Sequence, residues 1–179
     1  MGDTPPKLAA GEAGPAAAPD ANSINFIAAE TESLPHVDEH ATIVDADLGA
    51  TWTALLRAAE KMVAGAGAPR YARLVGCADT EASGPRPLAV GSTFPGFHVD
   101  AAEEPSELAL AGSHRFSDYA LVFRLDRLDG GRTRVRAETR AEFPHLHGVI
   151  YRALVIGTRM HVLATRRVLS AVKRNAERA

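Results

Sequence analysis

The chain carries seven histidines, the side chains best suited to moving protons near neutral pH. His114 is in phase with Leu108, Leu110 and Gly112, so it points to the apolar side of a strand. There it serves either as a general acid or base, or as a core or rim histidine hydrogen-bonded to a neighbour. His161 lies about 60° from the centre of the apolar face of a C-terminal helix, so it lines any cavity beneath that helix. It either orients a ligand carbonyl or phenol or simply buttresses the helix. Tyr119 and Thr139 are further polar groups at inward strand positions, each equally able to satisfy a local backbone group.

Other chemistries find less support. His145, His147 and His161 suggest a metal, but the helical rise between His147 and His161 is about 21 Å, too far for one ion, and His145 and His147 diverge from a helix start. No metal site is expected. Asp100, Glu103 and Glu104 sit on or after a strand, where neighbouring residues face opposite ways and solvation explains them. Cys77 has no His or Asp at a recognised spacing, and there is no glycine-rich phosphate loop or serine elbow. No cofactor is expected. Arg166, Arg167, Lys173 and Arg174 make the end of the last helix basic, which suits a helix C-terminus and a solvated face.

The elements that must position these groups follow from periodicity. Residues 144 to about 177 read as one long helix. Leu146, Val149, Ile150, Ala153, Gly157, Met160, Ala164, Val168 and Ala171 form its apolar side, with Arg152, Arg159, Arg166 and Lys173 opposite. The small residues on that side allow either close packing or an unfilled space. Upstream, residues 40 to 47 have strand composition, and residues 51 to 62 turn helical with Trp52, Leu55, Leu56 and Ala59 at core spacing; Asp47 or Thr51 supplies the N-cap. A break at residues 64 to 69 precedes a short second helix over 71 to 75, and residues 83 to 87 form a loop.

Beyond Val90 the pattern is that of strands. Phe97, Val99 and Ala101 alternate with His98, Asp100 and Ala102, and Leu108 and Leu110 with Ala109 and Ala111. Tyr119, Leu121, Phe123 and Leu125 face inward. Asp129-Gly130-Gly131 marks a hairpin. Val135, Ala137, Thr139, Ala141 and Phe143 alternate with charged residues, so one sheet face is wet and the other must be covered. Only the final helix is long enough to do so. The expected fold class is α+β, a curved antiparallel sheet wrapped around a long C-terminal helix, the helix-grip arrangement. The cone-shaped fold of nuclear-transport-factor-like domains places its helices first and fits less well.

Composition bounds the rest. A chain of 179 residues makes one domain, and 46% hydrophobic residues support a core. Residues 1 to 35, rich in Ala, Pro and Gly, read as a disordered leader in which Ser23 to Ile27 is the one hydrophobic stretch; residues 36 to 179 form the domain. A net charge of −2 offers no positive field for nucleic acid. No apolar run approaches a membrane span, so no stable membrane insertion is expected. The lone cysteine excludes an internal disulfide and fits a cytoplasmic setting. Oligomeric state is not readable.

Residues 41 to 47, Ala-Thr-Ile-Val-Asp-Ala-Asp, followed by 50 to 55, Ala-Thr-Trp-Thr-Ala-Leu, resemble the first strand and helix of the START-like superfamily, also called SRPBCC or the polyketide cyclase/dehydrase and lipid transport group. Residues 110 to 121, the pair Phe143-Pro144, and Tyr151-Arg152 resemble a bacterial branch of it, although His145 stands where such relatives often carry Gly. The resemblance covers the chain after Pro35. It implies a groove for lipids, polyketides or other hydrophobic small molecules, with some members acting as cyclases or hydrolases. On this reading Leu121, Phe123, Val135, Phe143 and Met160 supply apolar walls, and His114, Tyr119, Thr139 and His161 orient the ligand. The alternatives are a cyclase or dehydratase in which His114 or His161 moves a proton, and a protein-interaction module with a collapsed groove. A histidine that opens onto the cavity and has a partner within hydrogen-bond reach would favour the enzyme.

Overall fold

A computed structural model describes residues 31, 33–62, 67–144 and 160–179. The leader before Thr31, the stretch 63–66 and the expected helix over 145–159, with His145, His147 and Gly157, lie outside the described residues.

The element order is β1 (His36–Val44), α1 (Leu48–Met62), α2 (Ala68–Val75), β2 (Thr93–Phe94), β3 (Phe97–Glu103), β4 (Glu107–His114), β5 (Ser117–Arg127), β6 (Thr133–Glu142) and α3 (Met160–Ala176). The strands form one antiparallel sheet in the order β1-β6-β5-β4-β3-β2. Strands β2 to β6 meander, and β1 crosses over to pair with β6. Between β5 and β6, Asp129–Gly131 forms a 3-10 turn in which Gly130 adopts φ 74°, a left-handed conformation that glycine enters without steric cost.

Asp47 caps α1: its carboxylate accepts from the Ala50 amide at 2.9 Å and its carbonyl from the Thr51 amide at 3.0 Å. Thr51 is instead buried within the helix. Trp52, Leu55 and Ala59 enter the core with Val44, Leu108, Leu110, Phe123 and Val135 on the inner face of the sheet. The described part of α3 closes this core with Val168, Leu169, Val172 and Ala176 and packs on α1 and β1. Its buried stripe therefore differs from the expected one. Thr165, Val168, Leu169 and Val172 are buried, while Ala164 is exposed and Ala171 only half-buried. Burying branched side chains removes more apolar area from water than burying alanines, and this sets the helix rotation.

Two bulges change the expected strand faces. The pairing of β3 with β4 shifts register between Val99 and Ala101, so Ala101 joins Ala109 and Val122 in a small apolar cluster apart from the main core. Ala102 packs against the main core instead. The simple alternation expected along β3 holds only up to Val99, since one extra residue reverses every face that follows. The second shift lies between His36 and Asp38 of β1. Strand β1 also begins earlier than its apolar content suggests, because His36, Asp38 and His40 pair with Arg140, Thr139 and Ala137 of β6.

The outer face of the sheet is charged but not simply wet. Arg124 bridges Glu107 at 2.8 Å and Glu138 at 2.7 Å, Arg140 reaches Glu138 at 2.8 Å, and His36 stands 3.1 Å from Glu138. Contacts begin before His36. The Thr31 hydroxyl donates to the buried Asp100 carboxylate on β3, the Leu34 carbonyl accepts from Arg140 at 3.3 Å, and the Pro35 carbonyl accepts from the Ala141 amide at 3.0 Å. These contacts reach strands β3 and β6, which lie three strand spacings or about 14 Å apart.

Candidate functional site

A cavity of about 470 Å³ lies between the inner face of the sheet, α2 and the first turns of α3. Val37, Leu121, Ala141 and Phe143 line it from the sheet, Met62, Ala68, Tyr71 and Ala72 from the α1 end and α2, and Ala164 and Thr165 from α3. Its size suits a small ligand. Helix α2 stops where it does because Gly76 takes a left-handed conformation, φ 76° and ψ 43°, and caps the last turn through bonds to the Ala72 and Arg73 carbonyls. The chain then turns back to bring Cys77 to the cavity wall.

The polar groups in the wall form two clusters. The first surrounds Tyr119, whose hydroxyl donates to the Gly96 carbonyl at 2.6 Å. Phe97 meets the Tyr119 ring edge-on with centroids 5.2 Å apart, and the His114 ring lies 5.3 Å away. This packing depends on Gly112 opposite Tyr119 on the neighbouring strand, where an added Cβ would stand 2.8 Å from the tyrosine ring and overlap the Gly96 carbonyl. His114 Nδ1 accepts from the Phe116 amide at 3.2 Å, so in the neutral ring the proton sits on Nε2. Burial lowers the His114 pKa, against an opposing backbone hydrogen bond and the Asp118 carboxylate, which keeps the ring neutral near pH 7. The Cys77 thiol, 4.0 Å from the Tyr119 hydroxyl, is pushed up mainly by burial and further by Asp79, against the opposing tyrosine contact. Burial and the Asp79 charge thus disfavour its thiolate form.

The second cluster joins β1, β6 and α3. His161 Nε2 stands 3.1 Å from Asp38 Oδ2, and His40 Nε2 lies 3.4 Å from the same oxygen. Thr139 is directly opposite Asp38 across the β1–β6 pair. The bulge at the start of β1 explains how Asp38 arrives here. It lets His36 turn outward to Glu138 while Val37 lines the cavity and Asp38 reaches His161. Asp38 Oδ1, His40 Nε2 and Thr139 Oγ1 are buried with no hydrogen-bond partner among the described residues.

Of the residues singled out from sequence, His114, Tyr119, Leu121, Thr139, Phe143 and His161 all line this cavity. Phe123 and Val135 are fully buried in the core and are not among the lining residues. Met160 opens α3, and its side chain lies outside the described residues. Sequence reading passed over Asp38 and His40. Their period-2 spacing with Thr42 and Val44 was the available signal, hidden because the strand was started at His40. Among the described residues no group of three or more His, Cys, Asp or Glu is arranged to hold a metal ion, and no helix is long and apolar enough to cross a membrane.

No family model and no curated protein matches this sequence. Among solved structures the chain is similar to the Zhui aromatase/cyclase from Streptomyces sp. R1128, at 18% identity over 81% of this chain and 94% of that one, TM-score 0.48. It is similar to Ara h 8.0201 at 8% identity over 79% and 97% of the two chains, TM-score 0.48. A conserved protein from Geobacillus kaustophilus matches at 13% identity over 78% and 94%, TM-score 0.46. Similarities this low say nothing of activity. By its own topology, a six-stranded antiparallel sheet whose inner face packs against a C-terminal helix, the chain has the helix-grip arrangement expected from its sequence.

Proposed function

We propose that this domain binds a hydrophobic small molecule of lipid, polyketide or aromatic type in the cavity between the sheet and the C-terminal helix. The observation that carries the reading is the cavity itself, about 470 Å³ with walls built mainly of apolar side chains and a few polar groups, the composition that orients an otherwise apolar ligand. Leu121 and Phe143 form walls, and His114, Tyr119, Thr139 and His161 are the orienting groups. A collapsed groove would have favoured an interaction module instead.

A second reading has one specific observation behind it. His161 opens onto the cavity and has Asp38 within hydrogen-bond reach, the arrangement required of a general acid or base. A cyclase or dehydratase on this scaffold would move its proton there.

The test is native mass spectrometry of the purified protein with denaturing extraction of whatever it carries. A bound hydrophobic compound is the expected result. An empty protein whose melting temperature is unchanged by a panel of lipids, polyketides and aromatics would count against both readings.

A further inference from the structure

Helix α2 leaves its large apolar side chains in water. Of its eight residues only Ala72 is buried, while Tyr71 is 59% and Leu74 76% exposed. Leu74 lies one helical turn from both Arg70 and Tyr71, so the three share one face. Among the described residues four large hydrophobic side chains are exposed, and three of them, Tyr71, Leu74 and Leu163, sit on the two helices that wall the cavity. Tyr71 is both open to solvent and part of the cavity lining, which places it at the mouth. One exposed leucine needs no explanation. An apolar rim at the opening of an apolar cavity does.

The cations beside this rim are only partly matched. Arg115 reaches the end of α2, its Nε 3.5 Å from where a Cβ on Gly76 would stand. The carboxylates that follow α2 in the chain are already engaged, Glu81 by Arg73 at 2.6 Å and Asp79 by His98 at 2.9 Å. Arg70 and Arg115, both exposed, have no acidic partner among the described residues.

We propose that this face of α2 docks on the surface of an anionic lipid bilayer and that the cavity takes its ligand from that bilayer; the second part rests on the cavity being a ligand site. Leu74 and Tyr71 enter the interfacial layer, which suits a ring with a polar tip, and Arg70 and Arg115 meet the anionic headgroups. A protein partner fits less well. A stable interface buries about 800 Å² on each side, more than two apolar side chains on a helix about 12 Å long can offer. A bilayer requires no complementary shape. An apolar ligand passing the mouth at Tyr71 leaves the acyl layer without crossing water. Such docking lies on the membrane rather than through it, and no described helix is long and apolar enough to cross one.

The experiment is flotation of the full chain with vesicles of phosphatidylcholine, alone or with about 30% phosphatidylglycerol. The expected result is binding at least about tenfold stronger to the anionic vesicles and weakened by salt. Leu74→Ser and Arg70→Glu each change an exposed side chain that does not line the cavity, and each should lower that binding roughly tenfold. Transfer of pyrenedecanol from the anionic vesicles to the protein should slow in step. The melting temperature and the affinity for pyrenedecanol in vesicle-free solution should not change. Equal binding to the two vesicle types, no binding to either, or anionic binding unchanged in both variants overturns the docking face. So does a dimer in light scattering that Leu74→Ser dissociates, since a second copy then occupies it. Docking lost in both variants with transfer unchanged overturns the passage from the bilayer. Docking that persists in a chain unable to take up pyrenedecanol from solution overturns the cavity reading and leaves the docking face standing.

Discussion

Asp38 Oδ2 on the first strand and His161 Nε2 on the last helix stand 3.1 Å apart, although 123 positions separate them in the chain. The pair forms only when β1 has crossed to β6 and α3 has docked, so it reports completion of the fold. It also joins two of the elements that wall the cavity.

Ala164 is exposed to the cavity and contributes little to the core. Ala164→Trp should therefore fill the space without disturbing the packing of Val168, Leu169 and Val172. Affinity for an apolar fluorescent probe should fall at least about tenfold, or about 1.4 kcal/mol, with the melting temperature unchanged within a few degrees. Undiminished probe binding would place the ligand elsewhere.

Gly112 presents the opposite case. Its missing side chain is what allows Tyr119 to lie flat against β4 and reach the Gly96 carbonyl. Gly112→Ala forces the tyrosine ring to move and should cost about 1–3 kcal/mol, read by urea denaturation. Tyr119→Phe keeps the ring and loses only the hydrogen bond, so its cost should be nearer 1 kcal/mol.

Glu138 governs the acid limb of stability. Burial acts to raise its pKa, but the hydrogen bonds from His36 and Arg124 and the charges of Arg140 and Arg124 outweigh it, and the net direction is down. A carboxylate held below its unfolded value contributes stability above about pH 4.3, and that contribution is lost as pH falls through the lower folded value. Glu138→Gln should flatten the stability curve below that pH. At neutral pH it should cost about 2 kcal/mol or more, because Arg124 and Arg140 lose their common partner. An unchanged acid limb in chemical denaturation would contradict this.

Much of the fold was legible because its signals are local and periodic. The alternation from Tyr119 to Leu125 and from Val135 to Phe143 placed the inner face of the sheet, and the Asp129-Gly130-Gly131 turn placed the hairpin. Periodicity failed wherever register changed. The bulge at Asp100 is tied to a contact with Thr31 across 69 positions, and the bulge before Asp38 depends on pairing with β6; neither leaves a trace in a window of ten residues. The helix face is only partly legible for a related reason. The periodicity places Val168 correctly on the buried face, but it also puts Ala164 and Ala171 there, where the fold buries Thr165, Leu169 and Val172 and leaves Ala164 facing the open space that its small size permits. The six candidate residues that line the cavity sit on strands of regular alternation, just past the end of one, or on the helix. Asp38 escapes notice because the charged start of β1 does not look like a strand, and His40, although within the expected strand, has no partner beside it until Asp38 is placed.

The contacts of Thr31 and Leu34 on the back of the sheet have a mechanical consequence. They fasten β3 to β6 through Thr31 and Asp100 at one end and Leu34 and Arg140 at the other, as a cord holds the two limbs of a bow. A tie of this kind resists any spreading of the strands between β3 and β6, and β5, β6 and their neighbours carry the inner wall of the cavity. Cutting the cord with Thr31→Val is thus expected to relax the bow and change the room available to a ligand that the threonine never touches.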